Sequence, residues 1–499
     1  MARRKKRNTL TLVSLLLALA ALVGFYLWYT KRETEPVGED SSIPLSTVKT
    51  ADITSLHYVY GDTDMTFTRD GENWILEGEP DRPLNQSRVT SLLSVIDEIS
   101  ATRLIAETRD NLADFGLEQP ASYIQAILGD GSAVTLQIGN QPPSGDGYYA
   151  LVNEDNKVYL LAASYGSGLK YTNSDFTAVV DGPEVTAANI RYIKIDLREG
   201  QDFELSYQEG QEGNGAGSSM FPWVILKPYP QPYTADSSAV STLQENYKAF
   251  DYSECVEYSA KDLAVYGLED PLAVIELGYL EERTETLEKP EKNPDTGEEI
   301  TEKTYYDEKE FKLLIGDQTE SGSYYVMPEG DTTVYTMTKS TVDKMITVDA
   351  FSLLNKFIAI PLIDTVDRIE AEIDGTVYTL SMERSAVKNE KDEEEVQTTY
   401  FYNGKEAEEA AFKDIYQSLI SAKYDAENKE EMDAGSAKPR LTISFYLNDT
   451  ANTVITASYL PYNDSFYLVQ NGSETRFFAD KRSIDQIAEA VAGFQVKEK

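Results

Sequence analysis

One cysteine, Cys255, and one histidine, His57, stand in 499 residues. A lone thiol excludes an intrachain disulfide, so the chain depends on ordinary hydrophobic cores. One imidazole and one thiol also exclude the usual His and Cys sets for zinc. No Gly-x-Ser-x-Gly elbow occurs, and a triad would have to recruit His57 from the alternating stretch SLHYVY, which reads as plain strand. Nothing in the sequence favours Ser–Lys chemistry. No glycine loop leads into Lys and Ser or Thr. The glycine run at 210–219 is followed by Met220, Phe221 and Pro222, so it reads as a hairpin tip. Cys255, in the alternating DYSECVEYS, reads as a buried, inert thiol.

Positive charge is scarce too. Lys and Arg number 45 against 85 acidic residues, giving −40. Seven basic and no acidic residues occur up to Arg32, so the rest of the chain stands at −47. Such a field repels nucleic acid and anionic lipid and keeps the chain soluble. Among so many acids any carboxylate pair is unspecific as a glycosidase signal. Asn293, Asp295, Gly297 and Glu298 only faintly echo a calcium loop, and a solvated loop is the expectation there. No metal, cofactor or catalytic residue is expected.

The N-terminus is different in kind. Residues 8–30 carry no charge, and 10–29 are nearly all apolar, enough for one helix of about 30 Å. Arg3, Arg4, Lys5, Lys6 and Arg7 precede it, and Glu33, Glu35, Glu39 and Asp40 follow soon after. The bias places a basic tail (1–8) in the cytoplasm, a transmembrane signal anchor at 9–30, and the remainder outside. Trp28, Tyr26 and Tyr29 suit the membrane interface. A cleaved signal peptide is the rival, from Ala18-Leu19-Ala20, but cleavage there would leave a strongly apolar new end.

After a polar linker (31–50), the pattern Leu-Ala-x-aromatic-Gly-Leu-Glu-x-Pro occurs at 112–120 and again at 263–271. Around the first copy, residues 53–60, 65–68 and 74–76 read as a β-meander. A helix capped by Asn85 or Ser87 follows, with Val89, Leu92, Leu93, Ile96 and Ile99 on one stripe. Residues 123–128 and 133–138 flank Gly129-Asp130-Gly131 as a hairpin, and 148–152 with 157–161 form another strand pair. Around the second copy come 190–197, a Trp223 strand, and a helix from Asp236 carrying Val240, Leu243, Tyr247 and Phe250. Gly267, Leu268 and Pro271 match Gly116, Leu117 and Pro120, and Trp223 matches Trp74. Tyr324-Tyr325 and the Ile315-Gly316 strand end match Tyr148-Tyr149 and Ile138-Gly139 at offsets of 176 and 177, against 151 for the signature, so about 26 residues are inserted after the second signature. They form the charged stretch at about 281–308, expected to lengthen a hairpin.

A third, degenerate copy opens at Val366-Asp367-Arg368-Ile369. It continues through Phe412, Ile415 and Leu419 on a helix, a strand entered at Lys438-Pro439-Arg440, and 466–469, without the Gly-Leu-Glu element. The expected class is α+β: tandem antiparallel units, each with a covering helix, at 51–189, 190–365 and 366–499, behind one membrane helix. The paired tyrosines Tyr148, Tyr149, Tyr324 and Tyr325 are candidate interaction residues, with core packing as the plainer reading.

The Ile-x-x-Leu opening strand, the Trp strand, the aromatic-Gly-Leu-x-x-Pro signature, the Ile-Gly strand end and the Tyr-Tyr strand together resemble the bacterial domain of unknown function 4340. That resemblance covers 51 to about 365. It implies a membrane-anchored extracytoplasmic protein, often encoded beside ABC-type export permeases, and transfers no catalytic residue. The expectation is a non-enzymatic interaction protein with a membrane partner such as a permease. A glycan- or peptide-binding envelope module and a cryptic hydrolase are the alternatives.

Overall fold

A computed structural model describes residues 42–208, 221–292, 297–388, 394–428, 437–472 and 474–496. The expected basic tail, membrane helix and first part of the linker lie outside the described residues, as do the 210–219 run and Asn293 and Asp295 of the calcium echo. Among the described residues no helix is long and apolar enough to cross a membrane.

The described chain is mostly β-structure, in three antiparallel sheets of nine strands with a few short helices. Each sheet is wound in the same order. In the first, a meander (Ile53–Tyr60, Thr63–Asp70, Asn73–Leu76) leads into a helix (Gln86–Asp97) and a return strand (Glu98–Ala106). A second meander follows (Ser122–Leu128, Ala133–Ile138, Tyr148–Val152, Val158–Leu161). The opening strands of the two meanders lie side by side, and the return strand closes against Val158–Leu161. The second sheet repeats this with Ile190–Leu197 beside Ala273–Lys292, and the third with Val366–Ile373 beside Leu441–Leu447. The ninth strand in each is a short addition at an edge: Ile43–Thr47, Tyr233–Thr234 and Lys405–Ala407.

Alternation explains the strands. In Ile53–Tyr60 the residues Ile53, Leu56 and Tyr58 point inward, with one irregular step after Ile53 where the pairing register shifts. The helix Gln86–Asp97 starts at Asn85, whose side chain accepts from Arg88 N, and buries Val89, Leu92, Leu93 and Ile96. Gln86 pins it to the Trp74 strand, accepting from Trp74 N and donating to Trp74 O, both at 2.9 Å. Ile99, expected on the same stripe, belongs instead to the return strand, where it alternates inward with Ala101. Ile43–Thr47, expected as linker, is strand because it pairs with the return strand. A helix that the sequence reading did not name, Lys481–Ala492, buries Ile484, Ile487, Ala488 and Val491, with Asp480 as its cap.

The charged stretch does lengthen a hairpin: Ala273–Lys292 and Glu299–Gln318 are each 20 residues long. The chain divides into two compact units, residues 1–180 with 255–258, and the remainder, so the second meander of the second sheet and the whole third sheet share one unit.

Candidate functional site

The repeated signature is a tight turn that plugs one buried leucine, Leu117 or Leu268, into its sheet. Leu112–Phe115 forms one 3-10 turn, closed by Gly116 in the left-handed region (φ 67°). Leu117 N donates to Leu112 O at 2.9 Å and Gly116 N to Ala113 O at 3.1 Å, the paired bonds that end a helix at a glycine. The second copy has Gly267 at φ 66° with the equivalent bonds from Leu268 to Leu263 and from Gly267 to Ala264. A Cβ on Gly116 would lie 2.5 Å from the Asn140 side chain, and one on Gly267 2.5 Å from Asp317. The strand-end glycines answer the plug from the other side. A Cβ on Gly139 or Gly316 would strike the carbonyl of Phe115 or Tyr266 at 2.3 and 2.1 Å.

Leu117 and Leu268 are buried, Pro120 and Pro271 stand just before Ser122–Leu128 and Ala273–Lys292, and Trp74 and Trp223 are buried in their strands. The signature's leucines, tryptophans and glycines are therefore used by packing.

The tyrosine pairs are engaged as well. Tyr149 packs edge-on to Phe115, ring centroids 5.0 Å apart at 67°, and Tyr325 to Tyr266 at 5.0 Å and 65°. Tyr148 and Tyr324, on the opposite face, each carry a lysine. Lys170 Nζ donates to the Tyr148 hydroxyl at 3.0 Å, and Lys339 Nζ lies 5.5 Å from the Tyr324 ring centre. His57 is a strand residue bonded to Asp64 across its hairpin at 2.8 Å, and Cys255 is buried.

The third sheet has a counterpart that the sequence reading missed. Tyr467 sits under Lys481, whose Nζ donates to its hydroxyl at 3.0 Å, and the hydroxyl donates on to Asp485 at 2.7 Å. The second sheet shares this Lys-x-x-x-Asp arrangement, with Lys339 and Asp343 on one helix turn and the Tyr324 hydroxyl 3.3 Å from Asp343. In the third sheet Arg440 extends the network, its Nε 3.3 Å from Asp485 and another nitrogen bonded to Asp374. Burial pushes Asp485 up, but bonds from Lys481, Tyr467 and Arg440 outweigh it and hold the carboxyl below its ordinary value. Beside this network lies a cleft of about 690 Å³ lined by Lys438, Pro439, Arg440, Pro461, Asn463 and Lys481. Glu372 and Asp374 line it as well, so its charge is of mixed sign.

A second concentration of ionisable groups joins the second and third sheets. Phe477 is at its centre, 4.7 Å from Tyr424, 5.4 Å from Tyr229, 5.3 Å from Tyr233 and 5.9 Å from Phe351. Lys356 lies over the Phe351 ring, 3.0 Å from its centre, and its ammonium donates to Phe351 O. Burial pulls this amine down to about 8 despite the facing carboxylates Asp349, Glu427 and Asp425. Burial also pushes Glu427 up, against the opposing pull of the Tyr229 hydroxyl at 3.3 Å and of Arg476 and Lys356. Tyr424 N to Lys356 O (2.7 Å) and Ile358 N to Ala422 O (3.0 Å) stitch the backbone across the same junction. No local sequence pattern links residues so far apart. Among the described residues, no three His, Cys, Asp or Glu side chains converge as a metal set would.

A chain of three like-wound sheets, two of them carrying one packing signature, is a β-rich modular protein. It matches the family described as a domain of unknown function, DUF4340, over residues 74–220 and 223–439, and belongs to that family. The two matches begin at the corresponding tryptophan strands, Trp74 and, at its first residue, Trp223. No curated protein and no solved structure matches the chain.

Proposed function

We propose that this chain is a non-enzymatic interaction protein, anchored in the cell membrane by the helix at 9–30 and holding its three units outside as tandem repeats. In this reading it serves as an accessory subunit of an ABC-type transport or export complex. The observation that carries it is the threefold use of one strand order, with the family signature used in packing rather than gathered around a reactive centre. Arrays of this kind offer extended surface to partners. The basic-then-apolar N-terminus supports the anchor, and the acidic remainder supports an extracytoplasmic, soluble body with no nucleic-acid role.

Gentle detergent extraction of the tagged full-length chain from native membranes, followed by mass spectrometry, tests this. Stoichiometric recovery of a permease and an ATPase supports the accessory role, and solitary protein removes it. Release from membranes by salt alone would defeat the anchor. The mixed-sign cleft at Arg440 and Lys481 favours one second reading, a module that binds a glycan or peptide of the cell envelope. Saturable binding of muropeptides or envelope glycans, lost on Arg440→Ala, would favour it.

A further inference from the structure

We propose that the long hairpin of the second sheet is a docking arm that takes a basic protein segment as an added strand. This rests on the reading of the chain as an interaction protein, and not on the partner being a transporter. In the first sheet the corresponding strands, Ser122–Leu128 and Ala133–Ile138, are 7 and 6 residues long and close through a short turn. In the second they are 20 residues each, yet the neighbouring strands stop early: Ile190–Leu197 pairs no further than Tyr279, and Tyr324–Pro328 begins at Leu313. Beyond those points the two arm strands pair only with each other, from Leu280 opposite Glu308 to Thr286 opposite Glu302, then again at Glu291 opposite Ile300.

The arm has no core beneath it. Residues 281–286 are exposed, and so is Tyr306, at 55%. A lone two-stranded ribbon is marginal in water and presents unpaired backbone donors and acceptors along both outer edges, so strand addition would stabilise it. Its own sheet does not need it, since the shorter hairpin of the first sheet serves a sheet of the same size.

Charge selects the occupant. Residues 280–312 hold twelve acidic and six basic side chains. Several of the basic ones are already committed: Arg283 to Glu285 and Asp307, Lys309 to Glu281, and Lys312 to Glu276 and Glu310. The surplus is therefore negative. It repels a second copy of this acidic chain and admits a strand carrying Lys or Arg, whose stems can lie against exposed Tyr306.

The test uses the full-length chain in detergent and a variant in which 281–308 is replaced by the Gly-Asp-Gly-Ser turn of the first hairpin. The probes are a twelve-residue alternating Lys-Thr peptide and a Lys-Pro peptide of equal charge that cannot pair as a strand. The Lys-Thr peptide is expected to bind in low salt and to slow amide exchange within 280–292 or 299–312. Its affinity should fall about tenfold or more in the shortened variant, and the Lys-Pro peptide should be weaker by a similar factor. Equal affinity for the shortened variant, or a Lys-Pro peptide that binds as tightly, overturns the proposal. Recovery of solitary protein from membranes would remove the transporter reading while leaving this peptide result standing.

Discussion

Replacing Lys356 with methionine should stabilise the unit that contains it. The ordinary lysine value is 10.5 and burial brings this one to about 8, so at pH 7 the folded state holds an ammonium that it disfavours. At about 1.4 kcal/mol per pKa unit the full penalty would be about 3 kcal/mol, and water reaching the half-buried amine reduces it to roughly 1–2 kcal/mol. Methionine keeps the aliphatic stem against Phe351 and removes the charge. The Phe351 carbonyl still accepts from Leu354 N at 3.3 Å, so no acceptor is stranded. The folded-state value lies below the unfolded one, so the unfavourable contribution of Lys356 shrinks as pH climbs from about 8 to 10.5, and the advantage of Lys356→Met should fade over that window. The junction tyrosines Tyr229, Tyr233 and Tyr424, all pushed up by burial, lower stability as pH rises toward and past 10, but they do so in wild type and variant alike and cancel in the difference. Urea unfolding followed by Trp223 fluorescence, with Trp28 and Trp74 replaced by phenylalanine, measures the difference at pH 7 and pH 10. A loss of 1 kcal/mol or more at pH 7 would refute the reasoning, because attraction from Asp349, Glu427 and Asp425 would then outweigh desolvation.

Phe477→Ala empties the centre of the same aromatic cluster and should cost about 3–5 kcal/mol in the same urea assay, with new proteolytic cleavage near 354–358. Gly139→Ala and Gly316→Ala each force a methyl against a backbone carbonyl and should cost about 1–3 kcal/mol apiece, read as a lower midpoint for their own sheets; unchanged midpoints would show that the plug yields easily. Asp485 is held below its ordinary value in the folded chain, so its contribution is present above pH 4 and lost as pH falls through the depressed value. Asp485→Asn should flatten that acid-side slope in acid unfolding and, with the contribution gone, speed amide exchange in the helix Lys481–Ala492 at neutral pH.

The features read from sequence are those that local backbone geometry dictates. Gly116 and Gly267 close a turn that only a left-handed residue closes cheaply, and Gly139 and Gly316 leave room for a carbonyl, so both copies keep these glycines despite the residues inserted between them in the second. The glycine turn at 129–131 and the alternation of Ile53–Tyr60 were legible for the same reason. Ile99 was misplaced because it lies three residues beyond Ile96 and also two before Ala101, so helical and strand periods both fit it. The helix Lys481–Ala492 carries a plain i, i+3, i+4, i+7 stripe, legible in the sequence. Lys356, Glu427 and Phe477 were not, since they meet only through the pairing of distant strands. Arg440 and Asp485 fall between these cases: Lys481 and Asp485 are one helical turn apart, but nothing local brings Arg440 to them.

The sheet margins carry a further consequence. The outermost strands are Ile43–Thr47 and Asn73–Leu76, Tyr233–Thr234 and Glu254–Glu257, and Lys405–Ala407 and Ala426–Glu427, none longer than 5 residues. A margin that short offers a neighbour too few ladder bonds to propagate a continuous sheet from one molecule to the next. Copies of the chain can therefore crowd at high density without seeding fibres, while the long acidic hairpin, whose charge repels its own kind, is an extended margin left open to a stranger.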